Sequence, residues 1–458
     1  MRLTRRQIGQ LAASLGGLAA VGGLRAQPGS AVLPPRQHLV LRNAYVLTMD
    51  AAVGDLPAAD VEIRDGTIAA VGEALAAPGA ETIDASDMLL LPGLVETHWH
   101  IWTTLLRSMA ADRGYFPVSR GIGSFYLPGD MAAATRLALA EAVHSGITFV
   151  HDWCHNVRDP DYAEASLAAI AESGLRARFS YGTPTGHPND ETIDHAHLES
   201  LAEDWDSHSA EGRIRLGLAW RGVGSAASRA DRDLADALRL PVSVHVNNFQ
   251  SSAGGIAAIA EAGLLGPTVQ LIHAIWSSEA EIAAVAASGA SLSLSPYTEL
   301  RIGFGMPMTG EYLAAGVPVG LSVDTTTLSG NADMFAIMKV IQNVENARAL
   351  DEFALPARRV LELATIEGAR SIGMEGEIGS VTPGKRADLI AIDTRQVNLA
   401  LVTDLANLVV EAAQPANVDT VIVDGRILKR GGALTAVDVG AVVDEARAAQ
   451  AALLARAG

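Results

Sequence analysis

Eight short runs of β-rich apolar residues recur between Leu94 and Asp324, and stretches of helical period separate most of them. The runs are Leu94–Thr97, Ile147–Val150, Arg176–Gly182, Ile214–Ala219, Val242–Val246, Val269–His273, Ser291–Ser295 and Val319–Asp324. Met131–His144, Glu279–Ser288 and Met334–Ala347 are examples of the helical stretches. Strands joined through helices run parallel, because each crossover returns the chain to the same end of the sheet. Eight such units are the number that closes a (β/α)8 TIM barrel, whose chemistry sits at the C-terminal ends of its strands.

The flanks read differently. His38–Met49, Ala59–Val71 and Leu89–Pro92 on one side, with Gly379–Asp393 and Val418–Lys429 on the other, are strands and hairpins. Asp65-Gly66 and Asp424-Gly425 are the turns. The expected architecture is therefore α/β. A barrel over 92–374 carries a small β-sandwich domain built from 27–91 and 375–435, and a C-terminal helix occupies 436–458.

Thr4-Arg5-Arg6-Gln7-Ile8, a Gly/Ala-rich apolar run from Leu11 to Leu24, and Ala26 have the form of a twin-arginine signal peptide over 1–26. The expectation is a periplasmic or secreted protein. A formal charge of −18 argues against nucleic acid or an anionic membrane surface as a partner. The single cysteine, Cys154, excludes an internal disulfide.

Residues able to bind metal fall at the predicted strand ends. His98 and His100 follow the first strand at i and i+2, so they project to the same side. His245 lies in the fifth strand, His273 ends the sixth, and Asp324 ends the eighth. A lone histidine on an apolar strand is usually a satisfied core residue. Five such groups at one rim point instead to a site.

The stretch PGLVETHWH (Pro92–His100), continued by Thr104-Leu105-Leu106-Arg107, resembles the signature of the amidohydrolase superfamily, in its cytosine deaminase and chlorohydrolase-like branch. VSVHV around His245, LIHAIWSSEAEI around His273, SLSPYTELRIGFG, VPVGLSVDTTTLSGNADMF around Asp324 and VTPGKRADLIAID follow in that family's order. The resemblance implies one divalent metal held by His98, His100, His245 and Asp324. Zinc is the first choice, with iron and manganese as alternatives. It implies that His273 polarises the substrate while metal-bound hydroxide attacks a carbon bonded to nitrogen. Chemistry supports these roles: a metal acidifies bound water, Asp324 can carry the water proton to the leaving nitrogen, and His273 can donate to developing negative charge. A carboxylated lysine bridging two metals is excluded, because the lysines are Lys339, Lys385 and Lys429, all far from the fourth strand.

Two features depart from the pattern. Deaminases of this branch carry a glutamate three residues after the fifth-strand histidine, where this chain has Asn248. An amide cannot shuttle a proton. Glu299 is the candidate replacement, facing the substrate as a proton shuttle or a partner for a cationic group; the alternative is a solvated loop carboxylate. The second feature is His151-Asp152-Trp153-Cys154-His155, which either extends the pocket, orients a ligand, or brings a thiol or a second metal toward the site. Trp102, His155 and Asn248 are the candidate pocket residues, and tryptophans near strand ends suggest a flat substrate. The expected function is hydrolysis of a non-peptide C–N bond in a small molecule, first of all deamination of an aminated heterocycle. An amide, urea or carbamate hydrolase is the alternative, and a catalytically silent binding protein is the reading from another class. Family habit suggests a homo-oligomer.

Overall fold

The computed structural model describes residues 33–458, so the 1–26 segment lies outside the described residues. Strands β1 Leu39–Val46, β2 Leu56–Arg64, β3 Thr67–Gly72, β4 Glu81–Asp84 and β5 Met88–Pro92 precede the barrel. The barrel strands are β6 Leu94–Val95, β7 Ile147–Cys154, β8 Arg176–Tyr181, β9 Ile214–Trp220, β10 Val242–Val246, β11 Val269–His273, β12 Ser291–Leu294 and β13 Val319–Leu321. Four more follow: β14 Leu389–Asp393, β15 Val418–Val423, β16 Arg426–Arg430 and β17 Ala433–Leu434.

The chain ends share one nine-stranded mixed sheet, ordered β17-β16-β15-β14-β5-β1-β2-β3, with β4 also paired to β1. The join is the antiparallel pairing of β14 with β5, Leu389 opposite Pro92 through Asp393 opposite Met88. Side-chain alternation lets this seam serve two cores. Leu389, Ala391 and Leu90 point into the sheet's own core, whereas Ile390, Ile392, Leu89 and Leu91 point into the barrel-side core. The expected sandwich is thus a continuous hydrogen-bonded sheet whose strands from both ends bury one cluster. Both anticipated turns have two successive left-handed residues, Asp65 and Gly66 at φ 52° and 78°, Asp424 and Gly425 at 52° and 71°. That is the backbone a tight hairpin needs. The turns also meet: a Cβ on Gly425 would lie 2.9 Å from Gly66 Cα, so nothing larger fits there.

The eight barrel strands follow in sequence order, β6 to β13, all parallel. Closure between the first and last is made by loop backbone: Thr97 N–H to Leu321 O at 3.1 Å, Asp324 N–H to His98 O at 2.9 Å and His100 N–H to Asp324 O at 2.6 Å. β6 and β13 are shorter than the sequence suggests because the Glu96 carboxylate interrupts the ladder. It accepts the backbone N–H groups of His98 (2.9 Å), His151 (3.2 Å) and Val323 (3.1 Å). Glu281, three residues after Ser278, completes a capping box for the Glu279–Ser288 helix, which ends at left-handed Gly289. The final helix, Val439–Ala457, lies along Pro128–His144, burying Ala446 and Leu453, and Gln450 Nε2 donates to Leu105 O at 2.6 Å. No helix among the described residues is long and apolar enough to cross a membrane.

Barrel and sheet are tied by a buried ion pair. Arg176 Nε donates to Asp388 Oδ2 at 2.7 Å, each side chain only 1% exposed, and Asp388 Oδ1 accepts the N–H of Asp424 at 2.8 Å. Asp388→Ala leaves the buried guanidinium with only the longer contact to Asp424 Oδ1 at 3.8 Å and is expected to cost about 3 kcal/mol in equilibrium urea unfolding. Replacing both partners, Arg176→Met with Asp388→Leu, is expected to recover most of that. A single variant within about 0.5 kcal/mol of wild type would show that the pair does not couple the two cores.

Candidate metal centre and active site

His98 and His100 leave the end of β6, His245 projects from β10, and Asp324 follows β13. Their ligand atoms all lie within 4.8 Å of one another. Asp324 Oδ1 is 3.3 Å from both His98 Nε2 and His100 Nε2. The His100 and His245 rings stack with centroids 5.2 Å apart, and His98 meets both edge-on at 4.6 and 4.8 Å. Asp324 reaches the cluster from a left-handed backbone, φ 60°, held by the barrel-closing hydrogen bonds. A non-glycine residue there is uncommon, and such conformations concentrate at functional positions.

The donors suit a divalent cation. Burial, reinforced by the neighbouring imidazoles, pushes the pKa values of His98, His100 and His245 well down, so all three rings are neutral with lone pairs to offer. His100 Nδ1–H donates to Trp153 O at 3.0 Å, which leaves Nε2 as its lone-pair nitrogen facing the cluster. His98 is fully buried, yet neither of its ring nitrogens has a hydrogen-bond partner. Polar atoms in that state call for a ligand. Three imidazoles and a carboxylate are a common donor set for zinc and related metals.

His273, at the end of β11 with φ 68°, places Nε2 at 4.0 Å from Asp324 Oδ2. Its Nδ1 is 3.0 Å from Glu299 Oε1. This corrects the expectation for Glu299: the carboxylate does not face the substrate but stands behind His273, fully buried. The cause is local. Glu299 lies in the first turn of the Pro296–Ile302 helix, and its Oε1 also accepts the N–H of Ser295 at 2.7 Å, so the side chain folds back into the barrel wall. Burial raises its pKa, opposed by the hydrogen bond from His273.

A cavity of about 510 Å³ opens over the cluster. His155 and Asn248 line it, and the Asn248 side-chain oxygen is buried without a partner. Trp102 does not line it. Its indole Nε1–H donates to His155 Nδ1 at 3.3 Å, so it stands behind His155. Of the tryptophans near strand ends, Trp153 alone forms part of the wall; the other aromatic surface is Tyr115, Phe116, Phe249 and Phe304. Sequence reasoning missed these four. Phe249, adjacent to Asn248, had a positional cue, whereas Tyr115 and Phe116 open the helix Tyr115–Gly123 and Phe304 lies on a loop, and no local pattern places either segment over the cavity.

The second-strand segment divides. His151 is buried in the barrel between Thr97 O (2.9 Å) and Ser180 Oγ (2.8 Å). Cys154 is buried, and burial pushes its thiol pKa well up. Neither residue joins a metal-capable group, and the cluster described above is the one such group among the described residues. A second metal at this loop is therefore not supported. The lysines are occupied elsewhere: Lys339 on Glu411 O, Lys385 on Ile378 O and Lys429 on His144 O.

Residues 89–428 match the profile of the amidohydrolase family. A 5-methylthioadenosine/S-adenosylhomocysteine deaminase of Moorella thermoacetica is 31% identical, the match covering 82% of this chain and 91% of that one. A 5'-deoxyadenosine deaminase of Methanosarcina acetivorans is 27% identical over 92% of this chain and 99% of its own. Among solved structures, a zinc-bound adenosine deaminase from Xanthomonas campestris superposes with a TM-score of 0.81 at 24% identity, over 92% of this chain and all of that one. A zinc complex of atrazine chlorohydrolase from Arthrobacter aurescens superposes with a TM-score of 0.79 at 22% identity, over 90% of this chain and 100% of that one. These two structural likenesses speak to the fold.

Proposed function

The chain belongs to the amidohydrolase family, a metal-dependent hydrolase acting on non-peptide C–N bonds, and from that premise we propose that it deaminates a flat aminated heterocycle of adenosine-like size. The observation that carries this reading is the placement of His100, His245, Asp324 and His273 together in the lining of one aromatic-walled cavity, with His98 buried in the same cluster. The adenosine-type deaminases among its relatives support the substrate class.

In this reading His98, His100, His245 and Asp324 hold one divalent ion, zinc. That ion supplies Lewis acidity, which brings the pKa of water from about 15.7 toward 7. Asp324 Oδ2, on the side facing His273, takes one proton of the attacking water and delivers it to the departing amino group, so that water and Ar–NH2 become ammonia and Ar–OH, whose oxo tautomer carries the second water proton on the ring nitrogen. His273, whose Nδ1–H pairs with the Glu299 carboxylate, donates Nε2–H to the atom on which negative charge develops when it is the imidazolium that this carboxylate stabilises. Asn248 contributes a neutral carbonyl acceptor and an amide donor where the branch has a carboxylate, so it binds the ring edge without moving a proton. The three phenylalanines offer faces for the ring.

The amide at position 248 favours one second reading, hydrolysis of an amide or urea, in which protonation of the leaving amine by Asp324 suffices. Ammonia release from an aminated heterocycle separates the two. Adenosine, 5'-deoxyadenosine, 5'-methylthioadenosine, cytosine and guanine are to be tested with the metal-loaded protein. At least one is expected to turn over with kcat/KM of about 10⁴ M⁻¹s⁻¹ or more. No ammonia from any of them, together with aniline release from simple anilides, would replace deamination with amide hydrolysis. The Thr4–Ile8 pattern alone supports the further reading that the enzyme is exported.

A further inference from the structure

The end of the barrel away from the histidine cluster holds a charge that nothing answers. Arg178, the third residue of β8, points into the barrel floor beside Gly217 of β9, where a Cβ would lie 3.2 Å from the arginine Cδ. Glycine at 217 is what gives the side chain its room. Arg178 is only 6% exposed. Its guanidinium donates from Nη2 to Ile372 O at 2.5 Å, while Nε is buried without a partner. No carboxylate among the described residues offsets its charge. The nearest charged influence is another cation, Arg215, and burial with that neighbour pulls the Arg178 pKa down to about 10. A buried charge is normally paired, because leaving water without a counterion is costly.

Arg178 lines a cavity of about 660 Å³ at the N-terminal ends of β9 and β10. Part of its wall is apolar: Trp205, Leu216, Leu238 and Leu240. Arg239 stands exposed at its edge without an ion pair among the described residues, and Arg215 is paired with Glu377. Of the two carboxylates along the cavity, Glu211 is already taken by Arg36 and Arg426, each at 2.9 Å. Asp206 is exposed on the rim. Inside, the unspent charge is the positive one on Arg178, while Arg239 and Asp206 are both exposed at the rim, in a chain whose net charge is −18.

We propose that this cavity binds a small organic oxyanion, a carboxylate or phosphate monoester, whose acidic group pairs with Arg178 and Arg239 and whose apolar body lies against Trp205 and the leucines. The site is distinct from the histidine cluster, and its existence does not depend on what the catalytic site hydrolyses.

The test is thermal unfolding of the full, metal-loaded chain at matched ionic strength in chloride, inorganic phosphate, benzoate or neutral benzamide. At about 10 mM, phosphate or benzoate is expected to raise the wild-type Tm by about 2 °C, and benzamide not at all. A larger shift with benzoate shows that the apolar wall contributes; a larger shift with phosphate assigns recognition to the oxyanion alone. Arg178→Met, which removes an unanswered buried charge at similar volume, is expected to melt in chloride at or above the wild-type temperature and to lose the shift. Arg239→Gln, at the exposed edge, is expected to lose at least half of it and serves as the deciding variant if Arg178→Met does not fold. No shift in wild type, or the same shift in every variant that folds, would place the anion elsewhere and overturn the proposal.

Discussion

Asp324→Asn is expected to lower kcat/KM by about 10⁴-fold while the barrel still folds. The asparagine keeps the volume and the backbone bonds that close the barrel, since these run through the Asp324 N–H and C=O rather than the side chain. What it loses is negative charge 3.3 Å from two imidazole nitrogens and a proton acceptor 4.0 Å from His273 Nε2. Both losses fall on the same chemical step. Metal content, measured on the same preparations, is expected to be about one equivalent per chain in wild type and clearly lower in the variant. His98→Ala is expected to lower it further, because it removes a donor whose two nitrogens have no other partner. Turnover within about tenfold of wild type in Asp324→Asn, at one retained equivalent, would take the proton-carrying role away from this carboxylate.

Glu299→Ala is expected to lower kcat by about 10²-fold with KM within about threefold, because Glu299 touches His273 and not the cavity. Losing the carboxylate frees Nδ1 of His273 and with it the direction of Nε2. Glu299→Gln keeps an oxygen that can accept from both His273 Nδ1 and Ser295 N–H, so it is expected to recover most of the lost rate. The rescue separates positioning from bulk stability: a purely structural residue would show the loss in Tm rather than in kcat. Equal losses in the glutamine and alanine variants, or a KM change as large as the kcat change, would overturn the positioning role. The arrangement also bears on Asn248. With Glu299 committed to His273, no second carboxylate among the described residues lines the cavity to replace the absent glutamate, which leaves Asp324 as the carboxylate in reach of a substrate.

Much of this molecule is legible without coordinates. Strand periodicity marked the eight barrel strands: all eight begin at the residue expected, and two, Val242–Val246 and Val269–His273, also end where expected, in an undisturbed parallel ladder. The Asp-Gly turns were readable because only residues tolerant of positive φ close such hairpins. His98, His100, His245, His273 and Asp324 could be named as one group because strand ends in a barrel converge on one rim. The Glu279–Ser288 helix was readable from its helical period, and its observed bounds are the same residues.

What local pattern could not supply is direction across the chain. Glu299 and His273 are 26 residues apart, and nothing in either segment says that one carboxylate turns back to its own helix start and so lands behind the other's imidazole. The same holds for Trp102 behind His155 and for the phenylalanines over the cavity. Glu96 shortened two strands by accepting N–H groups from three separate segments, an effect invisible to strand propensity. Periodicity in the sequence reports which face of an element is buried, because burial is a property of each residue. Which groups meet on that face is set by the packing of elements distant in the chain, and that only the tertiary structure decides.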